Sequence, residues 1–418
     1  MRVELLTIGD ELLLGYTIDT NAAFIARALA EIGIEIVQRE TVGDDPEMIA
    51  RAVRDALERT GALITTGGLG PTADDRTREA LAALFGRALL RDDSLVALLE
   101  TRFRALGYAA MPRSNLVQAM VPEGARVLAN AHGTAPGLWL EDERGRWVAM
   151  LPGVPREMRG MLADTLLPLL RSRSGSAGAV VVSRTLRTTG IGESALAELL
   201  GELGGASLDG LALAYLPGWE GVDLRLTAKR LPRGAAEQAL DRAVRKLYGR
   251  AGRYIYGEDG TDLAGVVLQR CRERALHIAT AESCTGGLLG ARLTAIPGSS
   301  DVFEGGIIAY SNRVKAQLLG VPQEMLREHG AVSEPVAASM AAGARTRLGA
   351  EIGVGITGIA GPGGGSPEKP VGTVWIAVRM RETTRTLGRV FVGDREEIRQ
   401  RSAQAALDLV RRALHAER

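Results

Sequence analysis

Short apolar runs alternate with amphipathic stretches over the first ~170 residues. Val3 to Ile8 reads as a strand, Asn21 to Ile32 has helical spacing, Ile34 to Glu40 returns to strand, and Pro46 to Arg59 is again helical. Ala62 to Thr66 is the next strand; after the turn Gly67 to Gly70, the stretch Asp74 to Phe85 resumes the helical period, and Trp147 to Leu151 forms a later strand before Pro152. Such alternation predicts a parallel sheet covered by helices. The polar, Gly/Ser-rich tract Arg171 to Gly178 lacks periodicity and marks a linker.

From Val180 to about Gly257 the strand-like runs VVVSRTL and VDLRLTA combine with helices after Gly192-Glu193-Ser194 and from Ala235 to Tyr248, a small α+β unit. Its G-x-x-G, Gly201 to Gly204, has no flanking Lys or Arg and reads as a helix-ending turn. Alternation then returns: helix Asp262 to Arg274, strand Leu276 to Ala281, helix Gly286 to Thr294, strand Gly306 to Tyr310, helices to Leu348, strand Ile352 to Thr357, two strands near Val371 to Val378 and Arg385 to Val392, and a last helix. The expected organisation is an α/β chain of three domains, 1–170, 178–257 and 261–418.

Composition narrows the class. Hydrophobic residues make up 46% and charged residues 24% of 418, which argues against disorder and fibrous architectures. Aromatics are only 4% beside 52 glycines, favouring aliphatic cores and Gly-rich loops over stacking platforms for single-stranded nucleic acid. Lys and Arg number 51 against 50 Asp and Glu, so no global field steers the chain to nucleic acid or an acidic membrane, and anion recognition must be local. Two cysteines, Cys271 and Cys284, are too few for a disulfide framework or a Cys-based zinc site. The opening residues lack a basic-then-apolar leader and no apolar run approaches the roughly 18–20 residues of a membrane span. A cytoplasmic location is the expectation.

Ligands of a parallel α/β sheet collect at the carboxyl ends of its strands, and acidic loops cluster there. Gly9-Asp10-Glu11 follows the first strand, Gly43-Asp44-Asp45 the second, and Gly67 to Asp75 the third. Gly67, Gly68, Gly70 and Thr72 suit a phosphate cradled by main-chain N–H groups at a helix N-terminus. Converging carboxylates repel unless a cation intervenes, so Asp44, Asp74 and Asp75 suggest a Mg²⁺-like ion that also meets ligand phosphates. Asp10, Glu11 and Asn21 are further candidates, and simple helix capping by Asp74 and Asp75 is the alternative. His132 reads as a loop residue.

In the last third, Ala281 to Gly287, AESCTGG, sits between a strand and a helix, where a nucleophilic Ser283 would find unpaired N–H groups as oxyanion donors. The alternative is an ordinary cap. His277 within a strand, His329 beside a glycine and His415 near the end make a Ser-His-Asp triad a poor fit. Tyr310 and Lys315 offer another base, with the lysine cation lowering the phenol's pKa in a Ser, Tyr, Lys relay. Cys284 is the competing nucleophile. Gly353 to Gly358 satisfies G-x-G-x-x-G, but IAGPGGGSPEKPVG cannot open the helix a dinucleotide fold requires. Thr357 to Gly372 instead reads as a loop over the substrate, with Lys369 available to phosphate, and Gly298-Ser299-Ser300 as a second anion-binding turn.

These motifs carry a family resemblance. IGDELLLGYTIDTN, GDD and TTGGLGPTADDRTREAL, extended by NAHGTAPG and LPGVPREM, resemble the molybdopterin-binding-type domain of the CinA (competence/damage-inducible) family. AESCTGG, IPGSSDVFEGGIIAYSNRVK, GAVSEPVA and ITGIAGPGGGSPEKPVGTVWIA resemble its C-terminal domain over most of residues 261 to 418. The resemblance implies a three-layer αβα molybdopterin-binding-like domain, a small α+β KH-like connector and a C-terminal αβα deamidase domain. It further implies metal-dependent ADP-ribose pyrophosphatase activity at the N-terminus, with Asp75 and Asp44 or Asp45 as metal or water ligands. At the C-terminus it implies nicotinamide mononucleotide deamidation with no metal: Ser283 attacks, Tyr310 and Lys315 manage the proton, and Thr285, Gly286, Ser299, Ser300, Thr357, Gly358, Gly361 and Lys369 are binding positions. A homodimer is implied as well. Two other readings stay open: an N-terminal module that binds a nucleotide or molybdopterin without cleaving it, and an interaction protein of DNA uptake or recombination.

Overall fold

The computed structural model describes residues 1–174 and 180–416, so the Gly175 to Gly178 portion of the expected linker lies outside the described residues, while Arg171 to Ser174 end a helix. The chain divides into two compact units, Met1–Val182 with Ala228–Glu237, and Ser183–Thr227 with Gln238–Arg418. No helix among the described residues is long and apolar enough to cross a membrane.

In the first unit, β1 (Arg2–Ile8), α1 (Thr20–Glu31), β2 (Glu35–Val42), α2 (Pro46–Arg59), β3 (Ala62–Thr66) and α3 (Thr77–Leu84) follow the expected order. A helix the periodicity reading passed over, α4 (Asp93–Ala105), comes next, then β4 (Arg126–Leu128), β5 (Gly137–Glu141) and β6 (Trp147–Leu151). The sheet order is β2-β1-β3-β6-β5-β4, with β2, β1, β3 and β6 parallel and β5 and β4 added antiparallel. Because β2 lies on one side of β1 and β3 on the other, the chain reverses direction at the carboxyl end of β1, where a crevice opens in sheets of this kind. Both faces are covered: Ile49, Val53 and Leu81 pack on one, Ile25, Leu29, Met158 and Leu162 on the other.

Next along the chain come β7 (Val180–Thr188), α5 (Glu193–Leu200), β8 (Leu211–Pro217), β9 (Val222–Leu231), α6 (Arg233–Ala251) and β10 (Ile255–Glu258). With the two-residue strand Ser207–Leu208 they make a sheet in the order Ser207–Leu208, β8, β9, β7, β10. Gly201 ends α5 with φ 56° and opens a 3-10 turn to Gly204, so the G-x-x-G is a helix terminator.

The remaining elements are α7 (Leu263–Glu273), β11 (Ile278–Glu282), α8 (Leu288–Thr294), β12 (Phe303–Ile308), α9 (Asn312–Leu319), α10 (Gln323–His329), α11 (Glu334–Leu348), β13 (Ile352–Gly358), β14 (Thr373–Met380), β15 (Thr383–Val390) and α12 (Arg395–Ala416). Their sheet runs β12-β11-β13-β14-β15; β11 is parallel to both neighbours and β14 and β15 return antiparallel. The reversal point here is the carboxyl end of β11. His277 precedes this strand instead of lying within it.

The G-x-G of β13 has a packing role. A Cβ on Gly353 would stand 2.0 Å from the Ala341 carbonyl oxygen, and one on Gly355 would stand 2.3 Å from that of Ala337. Alternate glycines on one face of the strand therefore let α11 press its alanine face onto the sheet. Replacing Gly355 by Val should destabilise the second unit by about 1–3 kcal/mol through overpacking. Calorimetric melting checks it, with Gly363→Ala, a position with nothing within 4 Å of the added methyl, expected to melt like the parent.

Candidate functional sites

At the carboxyl end of β11 the chain turns through Ser283-Cys284-Thr285-Gly286-Gly287 before α8 begins. Gly286 and Gly287 take φ of 60° and 96°, left-handed values that delay the helix to Leu288, two residues later than its periodicity suggests. Ser283 is pinned by its N–H, which donates to the Ile356 carbonyl on β13 at 2.9 Å, and is 6% exposed. The adjacent Glu282, 1% exposed, folds its carboxylate under the helix and accepts N–H bonds from Gly287, Leu289 and Gly290 at 3.1, 3.0 and 2.8 Å. These donors were expected to serve a substrate oxyanion; they cap the helix onto Glu282 instead.

On the other side of β11, Ser311 caps α9 and brings Lys315 under the strand ends, where it is 1% exposed. Its Nζ lies 2.9 Å from Ser283 Oγ, 3.0 Å from the Ala309 carbonyl and 3.2 Å from the Tyr310 carbonyl. No carboxylate lies within salt-bridge distance of Lys315 among the described residues. Burial therefore lowers its pKa, opposed by the Cys284 thiol. Two carbonyls can only accept, so they take two N–H groups, and the third tetrahedral position of the amine faces the serine hydroxyl. A neutral amine would aim its lone pair at the Ser283 proton.

The expected phenol–ammonium couple is not formed. Strand β12 ends at Ile308, and Tyr310 beyond it offers Lys315 its main-chain oxygen while its ring is 61% exposed; the phenol accepts from Arg395 of α12 at 3.1 Å. Cys284 is buried, and that burial pushes its thiol up to about 12, which holds it in the unreactive protonated form. Cys271 is likewise free and buried. Thr285 is fully buried with an unpartnered hydroxyl. Thr357 and Gly358 close β13 next to the turn: Thr357 donates to the Ala331 carbonyl at 2.8 Å, and a Cβ on Gly358 would stand 3.1 Å from the Cys284 sulfur. Gly361 accepts from Arg395, while Lys369 donates to the His329 carbonyl at 2.8 Å, tying the Gly-rich loop to the end of α10.

Ser299 and Ser300 sit apart from this group. They form a 3-10 turn ahead of β12, at the amino end of a strand parallel to β11, whereas Ser283 follows the carboxyl end. The Gly298 carbonyl and Asp301 of this turn are bound by Arg272.

In the first unit a cavity of about 440 Å³ opens at the reversal point and is lined by Glu11, Asn21, Asp44, Gly67, Gly68, Gly70, Asp74 and Asp75, among others. Asp10 and Asp44 brace their loops mutually: the Asp10 N–H donates to Asp44 at 3.0 Å and the Asp44 N–H to Asp10 at 3.3 Å. Asp45 is spent capping α2 through the Glu47 and Met48 N–H groups. Burial, and then the charges of Asp10, Glu11 and Asp74, raise the pKa of Asp44 against the lowering pull of the Asp10 N–H.

Asp75 does not cap α3, whose N-cap position is Arg76. It clamps the glycine loop, accepting from the Gly70 N–H at 2.7 Å and the Thr72 N–H at 2.9 Å, and from the Thr72 hydroxyl. The loop turns tightly enough that a Cβ on Gly68 would stand 2.1 Å from Thr77 Oγ1. Behind it Arg78, 1% exposed, donates to the Leu69 carbonyl at 3.1 Å, and burial pulls its pKa down to about 10. Asn21 spans α1 and the strand ends, donating to the Gly153 carbonyl at 2.6 Å and to Thr66 at 3.3 Å. His132 pairs with Asp164 at 2.7 Å. Among the described residues no three His, Cys, Asp or Glu side chains are grouped to hold a metal by themselves.

Sequence reasoning missed Glu282, Arg395, Arg399, Arg78 and Gln118. For Glu282 a signal existed, an acidic residue immediately ahead of a Gly-Gly helix start. Arg399, which donates to the Thr285 carbonyl at 3.0 Å, reaches from a helix more than 100 positions away and left none. Glu282→Ala should strand three N–H groups and cost about 3 kcal/mol. Urea unfolding measures it, with Glu304→Ala, an exposed carboxylate on β12, expected within about 0.5 kcal/mol of the parent.

Comparison with known proteins matches residues 4–172 to a probable molybdopterin binding domain, 183–257 to the damage-inducible protein CinA KH domain, and 260–414 to the CinA C-terminal domain. A CinA-like protein of Gemmatimonas aurantiaca is 60% identical over 100% of this chain and 97% of its own length. Another from a Synechococcus species is 46% identical over 99% of each. The crystal structure of competence/damage inducible protein CihA from Agrobacterium tumefaciens is 43% identical over 37% of this chain and 93% of that one, with a TM-score of 0.36. An α/β chain with a molybdopterin-binding-type domain, a KH domain and a CinA C-terminal domain, alike over its whole length to such relatives, belongs to the CinA family.

Proposed function

We propose that the chain is a two-site hydrolase of pyridine and adenine nucleotides, with nicotinamide mononucleotide amidohydrolysis at Ser283 and metal-assisted cleavage of ADP-ribose in the N-terminal cavity. The observation that carries the first activity is the 2.9 Å contact of an uncompensated, buried Lys315 amine with Ser283 Oγ. Neutral Lys315 takes the hydroxyl proton as Oγ adds to the carboxamide carbon. The resulting ammonium, held by the Ala309 and Tyr310 carbonyls, gives that proton to the departing ammonia, leaving the nicotinoyl ester on Ser283. Water, deprotonated by the same amine, cleaves the ester and releases nicotinate mononucleotide. With the Gly287, Leu289 and Gly290 donors spent on Glu282, the oxyanion needs other donors. This is a serine–lysine variant of the triad logic, and Tyr310 serves at most as a contact presented by Arg395.

For the N-terminal cavity the support is the crowding of carboxylates that raises the Asp44 pKa; the Gly67, Gly70 and Thr72 N–H groups expected to cradle a phosphate are instead taken by the Leu151 carbonyl and by Asp75. A divalent cation of the Mg²⁺ type, which takes one or two carboxylates plus ligand phosphates, would relieve that crowding and polarise the diphosphate. Asp44 is the residue to hold it, with Glu11 and Asp74 beside it on the cavity wall. A second reading, a module that binds nucleotide without cleaving it, is favoured by the commitment of Asp75 to its own loop and by the absence of a three-ligand group among the described residues. A cytoplasmic homodimer without nucleic-acid or membrane partners completes the proposal.

Ammonia release from nicotinamide mononucleotide should persist in EDTA and fall by at least about a thousand-fold in Ser283→Ala and in Lys315→Met. A Ser283→Ala variant with parental turnover would remove the assignment. Since only the unprotonated amine accepts the serine proton, kcat/KM should climb with pH as Lys315 loses its proton. The lowered pKa puts that climb below the ~10.4 of an ordinary lysine. A flat profile through that range would contradict the base role. Chromatography of ADP-ribose incubations should show AMP formation that EDTA and Asp44→Asn both suppress; binding by calorimetry without product in several divalent metals would favour the binding module.

A further inference from the structure

Gln118 lies near the end of the 3-10 segment Arg113–Ala119 and is 1% exposed, yet it lines the N-terminal cavity. Its Oε1 is wholly covered and has no hydrogen-bond partner, and its amide enters no hydrogen bond among the described residues. A buried carboxamide left without partners costs folding free energy that a methionine of similar shape would not. A ligand group that reached Oε1 from the cavity would recover that cost.

A carboxamide presents an acceptor and a donor side by side, so its complement is a rigid edge carrying one of each. The edge of a 6-aminopurine, an exocyclic amine next to a ring nitrogen, is such a group and pairs with carboxamides in two parallel bonds. A phosphate, an acceptor only, would repel Oε1. The cavity around Gln118 includes Leu69 and Ala135, both buried and apolar, which suits a flat ring, and the glycine turn Gly67 to Gly70 lines the same space.

We propose that Gln118 reads the base of the nucleotide held in this cavity and selects a 6-aminopurine. The inference rests on the ADP-ribose reading above and names the group that makes it adenine-specific. The test compares ADP-ribose with its counterpart carrying unsubstituted purine, which lacks the amine and leaves Oε1 unpaired. The parent should prefer ADP-ribose by about ten-fold or more in kcat/KM. Gln118→Met, which should melt at or above the parent, should lose that preference by weakening ADP-ribose binding. Equal use of the two compounds by the parent, or a preference that survives in Gln118→Met, would mean that Gln118 does not read the base and would overturn the inference while leaving the diphosphatase reading intact. Neither binding nor cleavage of ADP-ribose by the parent would overturn both.

Discussion

A lysine amine placed in the protein interior without a carboxylate partner is the constraint around which the C-terminal unit is organised. Lys315 is 1% exposed, and an ammonium there would have two main-chain carbonyls and the Ser283 hydroxyl as partners and no counter-charge among the described residues. Desolvation favours the neutral form, and a neutral amine with two N–H groups occupied has one direction left for its lone pair. Everything that fixes that direction matters: the Ser311 cap that starts α9, the Ile356 carbonyl that holds Ser283, and the β11 reversal point that sets the two side by side.

Glu282 supplies the complementary half of the arrangement. A nucleophile turn at a helix N-terminus leaves N–H groups that need acceptors, and here a buried carboxylate takes three of them. Such charge-assisted bonds stiffen the turn against the load of a substrate, and they stabilise a carboxylate that would otherwise be costly to bury. The same device recurs in the other unit with the roles reversed, where Asp75 folds back on the loop that precedes α3 and binds the Gly70 and Thr72 N–H groups. In both places an acidic residue spends its hydrogen-bonding capacity on shaping a glycine turn.

Much of the architecture was legible because hydrophobic period and turn chemistry agreed: β1, α2, β3 and β6 fall within a residue of their expected bounds, and the strand–helix alternation gave the two αβα layers. What was missed has physical reasons. Strand β4 is three residues long, too short for a period, and β5 carries the buried run Leu138 to Leu140 without alternation. Helix α4 did have a signal, Asp92 as a cap before Leu95, Val96, Leu99 and Phe103, and was overlooked. For the site, Ser283 and Lys315 were readable as residue types flanking strand ends. The partition of Tyr310 into a useful carbonyl and an outward phenol was not, since it depends on where β12 stops and on Arg395 arriving from α12. Ser299 and Ser300 form a turn ahead of β12, and one strand length separates them from the Ser283 turn, a distance that the sequence pattern does not carry.

The two sites solve opposite electrostatic problems at topologically equivalent positions. In the second unit the uncharged state of a cation is favoured by withholding counter-ions. In the first, carboxylates from three loops are gathered until Asp44 is pushed toward its protonated form. A group so crowded has two exits, a proton or a metal ion, and under the proposed reading the ligand's own phosphates decide between them by adding oxygen donors that a proton cannot use. The buried Arg78 stands behind the glycine loop, where it holds the Leu69 carbonyl and does not line the cavity. With Asp75 committed to the Gly70 and Thr72 N–H groups, a cation in that reading falls to Asp44 and the ligand phosphates.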